Sequence, residues 1–244
     1  MDAPGTPVTA MVLAAGLGRR MLPLTAETPK PLVEVGGKAL IDHALDRLAD
    51  AGVRTAIVNV HHLAGQIVAH LAQRRKPRIR ISDEREKLLE TGGGVVRALP
   101  MLGRDPFFLL NSDSFWTERR TSNLARLAAN WDGEVMDALL MLAPVEDTVG
   151  YDGPGDFVMD LESRLRPGAP GETAPFVYTG VAIVDPAAMF ADAPTGPFSL
   201  DLLIDQVSRA GRLFGLRMSG TFFHVGTTAA LEEAGRLLRN SSAA

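Results

Sequence analysis

The segment MVLAAGLGRRMLPLTAETPKPL, near the start of the chain, combines an apolar run with glycines and cationic side chains. Gly16 and Gly18 carry no side chains, so backbone N–H groups can approach an anion closely there. Arg19 and Arg20 offer planar donors to phosphate oxygens, and Lys30, between two prolines, offers a compact charge. Together these residue types suit the binding of a polyphosphate and the stabilisation of charge on its leaving group.

Other glycine motifs explain this segment less well. A dinucleotide-binding G-x-G-x-x-G motif requires a third glycine where Met21 stands, and no acidic residue for a ribose is evident. The phosphate-binding pattern G-x-x-x-x-G-K-[ST] is absent, because GGKAL at Gly36 lacks both the spacing and the hydroxyl. On this segment alone, a tight turn with solvated arginines stays open as an alternative.

Alternating strands and helices must position these residues in the first half of the chain. The pattern predicts strands at residues 8–16, 55–60, 78–82 and 106–114, and helices at 39–52, 64–75 and 93–102. In the helix at 39–52, one face collects Leu40, Ile41, Ala44, Leu45 and Leu48, and Gly52 stands at the C-cap position. Such alternation predicts a mostly parallel sheet, whose ligands bind beyond the carboxyl ends of the strands. We therefore expect Gly16 and Asp113 at one edge.

From Glu134 the pattern changes, with strands predicted at 135–145 and 175–186, a turn-rich hairpin between them, and helices at 199–211 and 228–240. We expect one domain, residues 1–244, on a Rossmann-like three-layer α/β/α fold with a mostly parallel mixed sheet. Residues 8–133 would form the nucleotide-binding half. Residues 134–244 would continue the sheet and add a small β insertion facing the substrate and a C-terminal helix.

The composition excludes several classes of function. A net charge of −4 argues against nucleic acid or an anionic membrane as a partner. The basic run Arg74–Arg80 is interpreted as a solvated helix end followed by a strand with outward arginines. There is no cysteine, the start MDAPGTP is not signal-like, and no run approaches the ~20 apolar residues of a membrane span. We expect a soluble, cytoplasmic protein.

The motifs identify a family by resemblance. LAAGLGRRMLPLTAETPKPL closely resembles the signature of the sugar-1-phosphate nucleotidyltransferases, and ETGGG at Glu90–Gly94, NSD at Asn111–Asp113, FVYTGVAIVDP and FHVGTTAAL follow in the family's order. Family members join a nucleoside triphosphate to a sugar 1-phosphate and release pyrophosphate. The chain most resembles the N-acetylmuramate-1-phosphate uridylyltransferases of cell-wall recycling. Guanylyltransferases acting on mannose or heptose phosphates are the alternatives, and choline-phosphate cytidylyltransferases share the first motif.

The resemblance implies a role for each matching position. Arg20 would clamp the triphosphate, Lys30 would contact the phosphates near the reacting centre, and Asp113 would hold Mg2+, with Mn2+ as a substitute. On its own, a strand-end aspartate is commonly a turn former. The nucleotide would contact Leu13, Ala14, Ala15, Gly16, Leu17, Gly18, Arg19, Thr91, Gly92 and Gly93. The sugar would contact Asn111, Gly153, Thr179 and Gly180.

Two departures from the family pattern stand out. A metal-binding aspartate usually precedes VGT, and here that position is His224, whose imidazole suits Mn2+ or Zn2+ better than Mg2+. His224 could bind metal, orient a metal-bound water, contact phosphate or be satisfied internally, and it motivates a second hypothesis, a non-catalytic nucleotide or sugar sensor. The family's Glu-Lys-Pro segment has only Arg166-Pro167 as a counterpart. Asn59 and His61 are interpreted as strand-end caps, and the chain as a monomer or small homo-oligomer.

Overall fold

A computed structural model describes the backbone of residues 6–242 and the side chains of residues 6–240. The strands are β1 Thr9–Leu13, β2 Glu34–Val35, β3 Lys38–Ala39, β4 Thr55–Val60, β5 Arg78–Asp83, β6 Phe107–Asn111, β7 Ser114–Trp116, β8 Ala138–Pro144, β9 Thr148–Val149, β10 Phe157–Met159, β11 Leu165–Pro167, β12 Phe176–Val184, β13 Leu213–Arg217 and β14 Phe222–His224. The helices are α1 Leu24–Glu27, α2 Leu40–Asp50, α3 Ala64–Leu71, α4 Glu90–Leu102, α5 Asn123–Ala129, α6 Pro186–Met189, α7 Asp201–Arg209 and α8 Thr228–Ser242.

A nine-stranded mixed sheet runs through the molecule in the order β11-β10-β12-β6-β1-β4-β5, with β8 pairing β12 and β13 pairing β8. The strands β6, β1, β4 and β5 are parallel, and β12 joins them antiparallel to β6. The second half of the chain therefore continues the sheet, as predicted, and β10 and β11 form the predicted hairpin.

Helices cover both faces because side chains alternate along each buried strand. Val12 and Val58 face the core under α2, α3 and α5, whereas Met11 and Ile57 face the core under α4 and α7. The five predicted apolar residues of α2 are all buried, and Gly52 at its end has a φ of 86°. The three-layer α/β/α prediction is confirmed.

Several predicted boundaries need correction. The strand predicted at 106–114 is split, since β6 ends at Asn111 and β7 begins at Ser114, which places Asp113 in the connection. The helix predicted at 93–102 begins at Glu90, and the helix predicted at 64–75 ends at Leu71. Strands β7, β13 and β14 and helix α5 have no counterpart in the predicted pattern. β7 and β14 have only three residues each, and all three strands pair with strands that are distant in the sequence.

The basic run Arg74–Arg80 lies on the surface, as expected, but its first arginine is held differently. Arg74 lies beyond the end of α3 and contacts the carboxylates of Asp42 and Asp46 in α2, at 3.0 and 2.5 Å. Ion pairing with α2, rather than the helix dipole, therefore determines where the Arg74 side chain lies. Arg78 and Arg80 point outward from β5.

Among the helices of residues 6–242, none combines the length and the apolar character that crossing a membrane requires.

Candidate active site

The carboxyl ends of β1, β4 and β6 meet at a cavity of about 390 Å³. Leu13, which ends β1, is in register with Asn111, which ends β6, so the segments that follow both strands leave the sheet side by side. The predicted meeting of Gly16 and Asp113 at one edge is confirmed. The cavity is lined by Leu13, Ala15, Gly16, Lys30, Pro31, Asn59, Leu88, Glu90, Thr91, Asn111, Ser112, Asp113 and Ser199.

The loop after β1 is held by its own glycine and by a buried methionine. Gly18 has a φ of 64°, and its carbonyl accepts a hydrogen bond from Thr25 Oγ1 at 2.8 Å. A Cβ at this position would lie 2.9 Å from Thr25 Cγ2, so the turn requires glycine on both counts. Met21 is fully buried, whereas Arg19 and Arg20 are exposed. The loop is thus fixed at one side and presents cations at the other.

Lys30 and Asp113 form an ion pair at the wall of this cavity. The distance from Nζ to Oδ2 is 2.6 Å, and the two side chains are 11% and 28% exposed. Burial alone would raise the pKa of Asp113, but the charge and hydrogen bond of Lys30 outweigh it and hold the pKa below its usual value. The carboxylate is therefore ionised at neutral pH.

A second cavity, of about 420 Å³, lies beside Arg20 and His224. A Cβ on Gly226 would lie 2.7 Å from His224 Nε2 and 3.2 Å from Arg20 Nη1, so both side chains border this glycine. Burial lowers the pKa of His224, which keeps its imidazole neutral at pH 7. The complete lining is Arg20, Gly150, Tyr151, Asp152, Gly153, His224, Gly226, Thr227, Ala229, Ala230 and Glu233.

Asp113 connects the two cavities. Its side chain lines the first, and it lies within electrostatic range of Arg20 and His224, which line the second. The backbone N–H of Val225 also donates to the Asp113 carbonyl, at 3.1 Å. Three of the predicted residues therefore lie around the carboxylate of the fourth, Asp113: they are Arg20, Lys30 and His224.

The donor set around Asp113 suits a divalent cation that brings its own oxygen ligands. Among residues 6–240, no group of three or more His, Cys, Asp or Glu side chains is placed to hold a metal ion. Mg2+ commonly uses one or two carboxylates together with substrate phosphates and water. Asp113 fits that arrangement once a polyphosphate is bound, and His224 adds one imidazole nearby.

Gly92 and Gly93 of the TGGG run have no room for a side chain, and their contact with a nucleotide base stays a prediction. A Cβ on Gly92 would lie 2.2 Å from Phe198 Cε2, and one on Gly93 would lie 2.4 Å from the Gly196 carbonyl oxygen. Both backbone N–H groups donate to the Phe198 carbonyl. Thr91 does line the first cavity, and its Oγ1 accepts a hydrogen bond from the Leu200 N–H.

The residues predicted to contact a sugar separate into two groups. Asn111 lines the first cavity, and Gly180, with a φ of 75°, packs against it, since a Cβ there would lie 2.4 Å from Asn111 Nδ2. Gly153 lines the second cavity. Thr179 is 1% exposed, and its hydroxyl donates to the Met141 carbonyl inside the sheet. The Thr179 hydroxyl is thus engaged within the sheet, and a sugar contact at Thr179 stays a prediction.

Sequence reasoning missed part of the cavity wall. Ser112 lines it and donates its hydroxyl to the Leu13 carbonyl at 2.7 Å. Glu84, at the end of the β5 segment, is 1% exposed and hydrogen-bonded to Asn59. The interpretation of Asn59 as a strand-end cap is confirmed by its bond to the Ala14 N–H, although Asn59 also lines the cavity. The available signal was the polar residues at or shortly after the ends of the strands, Asn59, Glu84 and Ser112.

Comparison with known proteins agrees with this arrangement. The sequence model of a family described as Nucleotidyl transferase matches residues 9–152, more than half of the chain. An N-acetylmuramate alpha-1-phosphate uridylyltransferase of Caulobacter vibrioides is 50% identical over 224 residues, covering 90% of this chain and 92% of that protein. One of Neisseria meningitidis is 35% identical, covering 92% and 96%. A mannose-1-phosphate guanyltransferase of Aspergillus fumigatus is 41% identical, but over only 43% of this chain and 30% of that protein.

Solved structures share the fold. A UDP-glucose pyrophosphorylase complexed with UDP-glucose superimposes with a TM-score of 0.77 at 15% identity, covering 96% of this chain and 99% of that one. A UDP-glucose pyrophosphorylase from Acinetobacter baumanii gives a TM-score of 0.74 at 18% identity, covering 96% and 98%. At such identities the likeness concerns the architecture alone.

Proposed function

This chain belongs to the nucleotidyl transferase family, and from that premise we propose that it joins UTP to N-acetylmuramate 1-phosphate and releases pyrophosphate. The observation that carries the proposal is the likeness to two N-acetylmuramate alpha-1-phosphate uridylyltransferases over nearly the whole chain. Lys30 and Asp113, beyond the end of β6, support it, because the ammonium group can neutralise phosphate charge and the carboxylate can hold a divalent cation.

The reaction needs no protein nucleophile. An oxygen of the sugar phosphate attacks the α-phosphorus of UTP, a new P–O bond forms, and the bond to the β-phosphate oxygen breaks, so that pyrophosphate leaves with the electron pair. The tasks left to the protein are positioning and the neutralisation of negative charge. The two cavities on either side of Asp113 suit those tasks.

Three charged residues would have different roles in binding the phosphates. The loop Ala14–Gly18 would hold the phosphate chain with its backbone, and Arg20 would clamp the leaving pyrophosphate. Lys30 would neutralise charge near the α-phosphorus, with Asp113 fixing the direction of its ammonium group. Leu13, Leu17 and Arg19 would complete the wall of this loop.

We assign Mg2+, or Mn2+ in its place, to Asp113, with His224 as a weaker second ligand. Such an ion, when bound, supplies charge neutralisation to phosphate oxygens. The neutral state of His224 leaves an imidazole nitrogen free to coordinate or to accept a hydrogen bond.

The uracil would lie in the first cavity against Ala15, Leu88, Glu90 and Thr91. The sugar would lie towards Asn111, Gly153 and Gly180. On the same proposal the protein acts in cytoplasmic cell-wall recycling, as a monomer or small homo-oligomer, and needs neither a nucleic-acid nor a membrane partner.

Pyrophosphate release tests the proposal and its alternatives. The panel combines UTP, GTP, CTP, dTTP and ATP with the 1-phosphates of N-acetylmuramate, mannose and a heptose, each with Mg2+ or Mn2+. We expect the highest kcat/KM for UTP with N-acetylmuramate 1-phosphate. A preference for GTP with mannose or heptose 1-phosphate would instead support a guanylyltransferase. Measurable nucleotide binding without turnover under any condition, Zn2+ included, would support a sensor.

A further inference from the structure

Two buried polar side chains connect two segments that border the first cavity. Asn59 Oδ1 accepts a hydrogen bond from the Ala14 N–H at 2.7 Å, and Asn59 Nδ2 donates to Glu84 Oε1 at 2.8 Å. Glu84 Oε2 accepts from the Leu89 N–H at 3.2 Å. Asn59 is 2% exposed and Glu84 is 1% exposed. The three bonds form one continuous chain from the end of β1 to the start of α4.

Each end of this chain reaches a segment that faces the cavity. Ala14 begins the loop that carries the glycines and arginines, and Leu89 lies between Leu88 and Glu90, which both line the cavity. Glu90 holds a φ of 59°, a left-handed conformation that is unfavourable for residues other than glycine. The surrounding structure must therefore define this turn, and the Glu84 bond to the preceding residue, Leu89, does so.

Space for the pair is provided by a missing side chain in α4. A Cβ on Gly94 would lie 2.8 Å from Asn59 Nδ2 and 2.8 Å from Glu84 Oε1. The third glycine of the TGGG run thus accommodates the pair, just as the first two accommodate residues 196–198. Three separate elements, β4, the end of β5 and α4, are all adapted to the same contact.

Stability alone does not explain why a carboxylate occupies this position. Burial raises the pKa of Glu84, which means that the fold opposes its charged form, and buried polar pairs commonly stabilise less than apolar side chains of similar size. The pair instead fixes the positions of two backbone N–H groups, those of Ala14 and Leu89, because both donate hydrogen bonds to it.

We propose that Asn59 and Glu84 are positioning residues that hold the loop after β1 and the turn before α4 in register to receive the nucleoside triphosphate. The proposal rests on the proposed function, and it assigns to both side chains an effect through the Ala14 and Leu89 backbone rather than through the reacting atoms.

The test exploits the direction of the central bond. In Glu84→Gln the amide can accept from Asn59 or from Leu89 but not from both, so one bond is lost. In Asn59→Asp two carboxyl groups face each other without a donor. The double variant Asn59→Asp/Glu84→Gln restores all three bonds, since the introduced amide donates to the introduced carboxylate and still accepts from the Leu89 N–H. Ser82→Ala is the control, because Ser82 is equally buried in β5 and its hydroxyl has no hydrogen-bond partner among residues 6–240.

The readouts are the Kd for UTP with Mg2+ from calorimetry, the KM for each substrate, and the Tm. We expect each single variant to raise the Kd and KM for UTP about tenfold, in proportion to one lost charge-assisted hydrogen bond. The KM for the sugar phosphate stays unchanged, and the double variant returns to within about threefold of the starting protein. Ser82→Ala binds UTP normally.

Three results would overturn the inference. Unchanged UTP binding in both single variants is the first. Failure of the double variant to recover, although it folds, is the second, since that result would indicate direct contact of Glu84 with the base. A fall in Tm without any change in the UTP Kd is the third. If a single variant does not fold, Gly94→Ala, which crowds the pair without removing a polar group, replaces it. Calorimetry is independent of turnover, so an inactive starting protein would contradict the proposed function and leave this test intact.

Discussion

Lys30 and Asp113 are 83 positions apart in sequence and meet at a single hydrogen bond. Each is brought there by a different local feature, Lys30 by a short turn between prolines and Asp113 by the gap between β6 and β7. Their mutual attraction keeps the carboxylate ionised despite burial. At the scale of single residues, we propose that this pair provides the electrostatic stabilisation of the reaction.

Replacing Lys30 by Ala, or Asp113 by Asn, is expected to lower kcat by about two or more orders of magnitude, because each change removes one electrostatic stabiliser. Steady-state kinetics with UTP and N-acetylmuramate 1-phosphate measure the effect. Lys38→Ala is the matched control, since Lys38 forms an exposed ion pair with Asp46 and lines neither cavity. Near-normal kcat in the Lys30 or Asp113 variant would remove that residue from the mechanism.

Glu84 should give the folding stability a pH dependence of its own. Its folded pKa is raised by burial, against partial compensation from Asn59, the Leu89 N–H, Arg97 and His61. A carboxyl with a raised folded pKa contributes stability fully below its unfolded pKa of about 4.5 and loses it as the pH rises through the folded value. The free energy of unfolding of the starting protein minus that of Glu84→Gln should therefore fall with rising pH.

Urea unfolding of both proteins from about pH 4.5 to about pH 8 measures this difference, and subtraction removes the other titrating groups. A difference that stays flat, or that grows with pH, would show that Glu84 is not held in a burial-dominated site.

Residue types predicted part of the site, and tertiary partners decided the rest. That Arg20, Lys30 and Asp113 lie near one another could be predicted, because the charge types, the strand ends and the family resemblance all point to these positions. The packing of Thr179, Gly92 and Gly93 could not, since only the fold shows that the Met141 carbonyl accepts the hydroxyl hydrogen bond and that residues 196–198 fill the space beside the glycines. The pairing of Asn59 with Glu84 likewise depends on strand register.

At the scale of elements, the amino end of α4 is the most constrained piece of the site. Its first turn donates backbone hydrogen bonds to Phe198 and packs without side chains against residues 196–198. The same turn presents Glu90 and Thr91 to the cavity. The position of α4 therefore sets one wall of the first cavity.

Gly93→Ala should destabilise the protein by about 1–3 kcal/mol, although alanine favours helices, because its Cβ would lie 2.4 Å from a backbone oxygen. Gly65→Ala is the control, since Gly65 lies exposed in α3 and its Cβ would meet no described atom within 4 Å. That change should stabilise by about 0.5–1 kcal/mol. Equal effects of the two substitutions in urea unfolding would contradict the packing described for α4.

The long elements could be predicted because hydrophobic periodicity is local. The apolar stripe of α2 and the alternation of strands with helices gave the layer arrangement directly. Strands β7, β9 and β14 form a separate three-stranded sheet of two or three residues per strand, and their pairing is entirely long-range. That small sheet places His224 near Asp113. The element that was hardest to predict therefore contributes one side chain to the candidate site.

At the scale of the whole molecule, a ligand bound in the cavity at the ends of β1, β4 and β6 should stabilise the native state. With UTP and Mg2+ at about 100 times Kd, mass action adds about 2.7 kcal/mol, or about 5–10 °C in Tm for a chain of this length. GTP, CTP, dTTP and ATP at the same concentration should shift the Tm less. A larger shift with GTP in a thermal-shift assay would argue against a uridylyltransferase.

The most direct test is a crystal structure of the protein with UTP and Mg2+. The account predicts the triphosphate along the loop Ala14–Gly18, with Arg20 and Lys30 on phosphate oxygens, the ion on Asp113, and the uracil beside Leu88 and Thr91. Density for the nucleotide at another surface, with the cavity at the ends of β1 and β6 left unchanged, would contradict it.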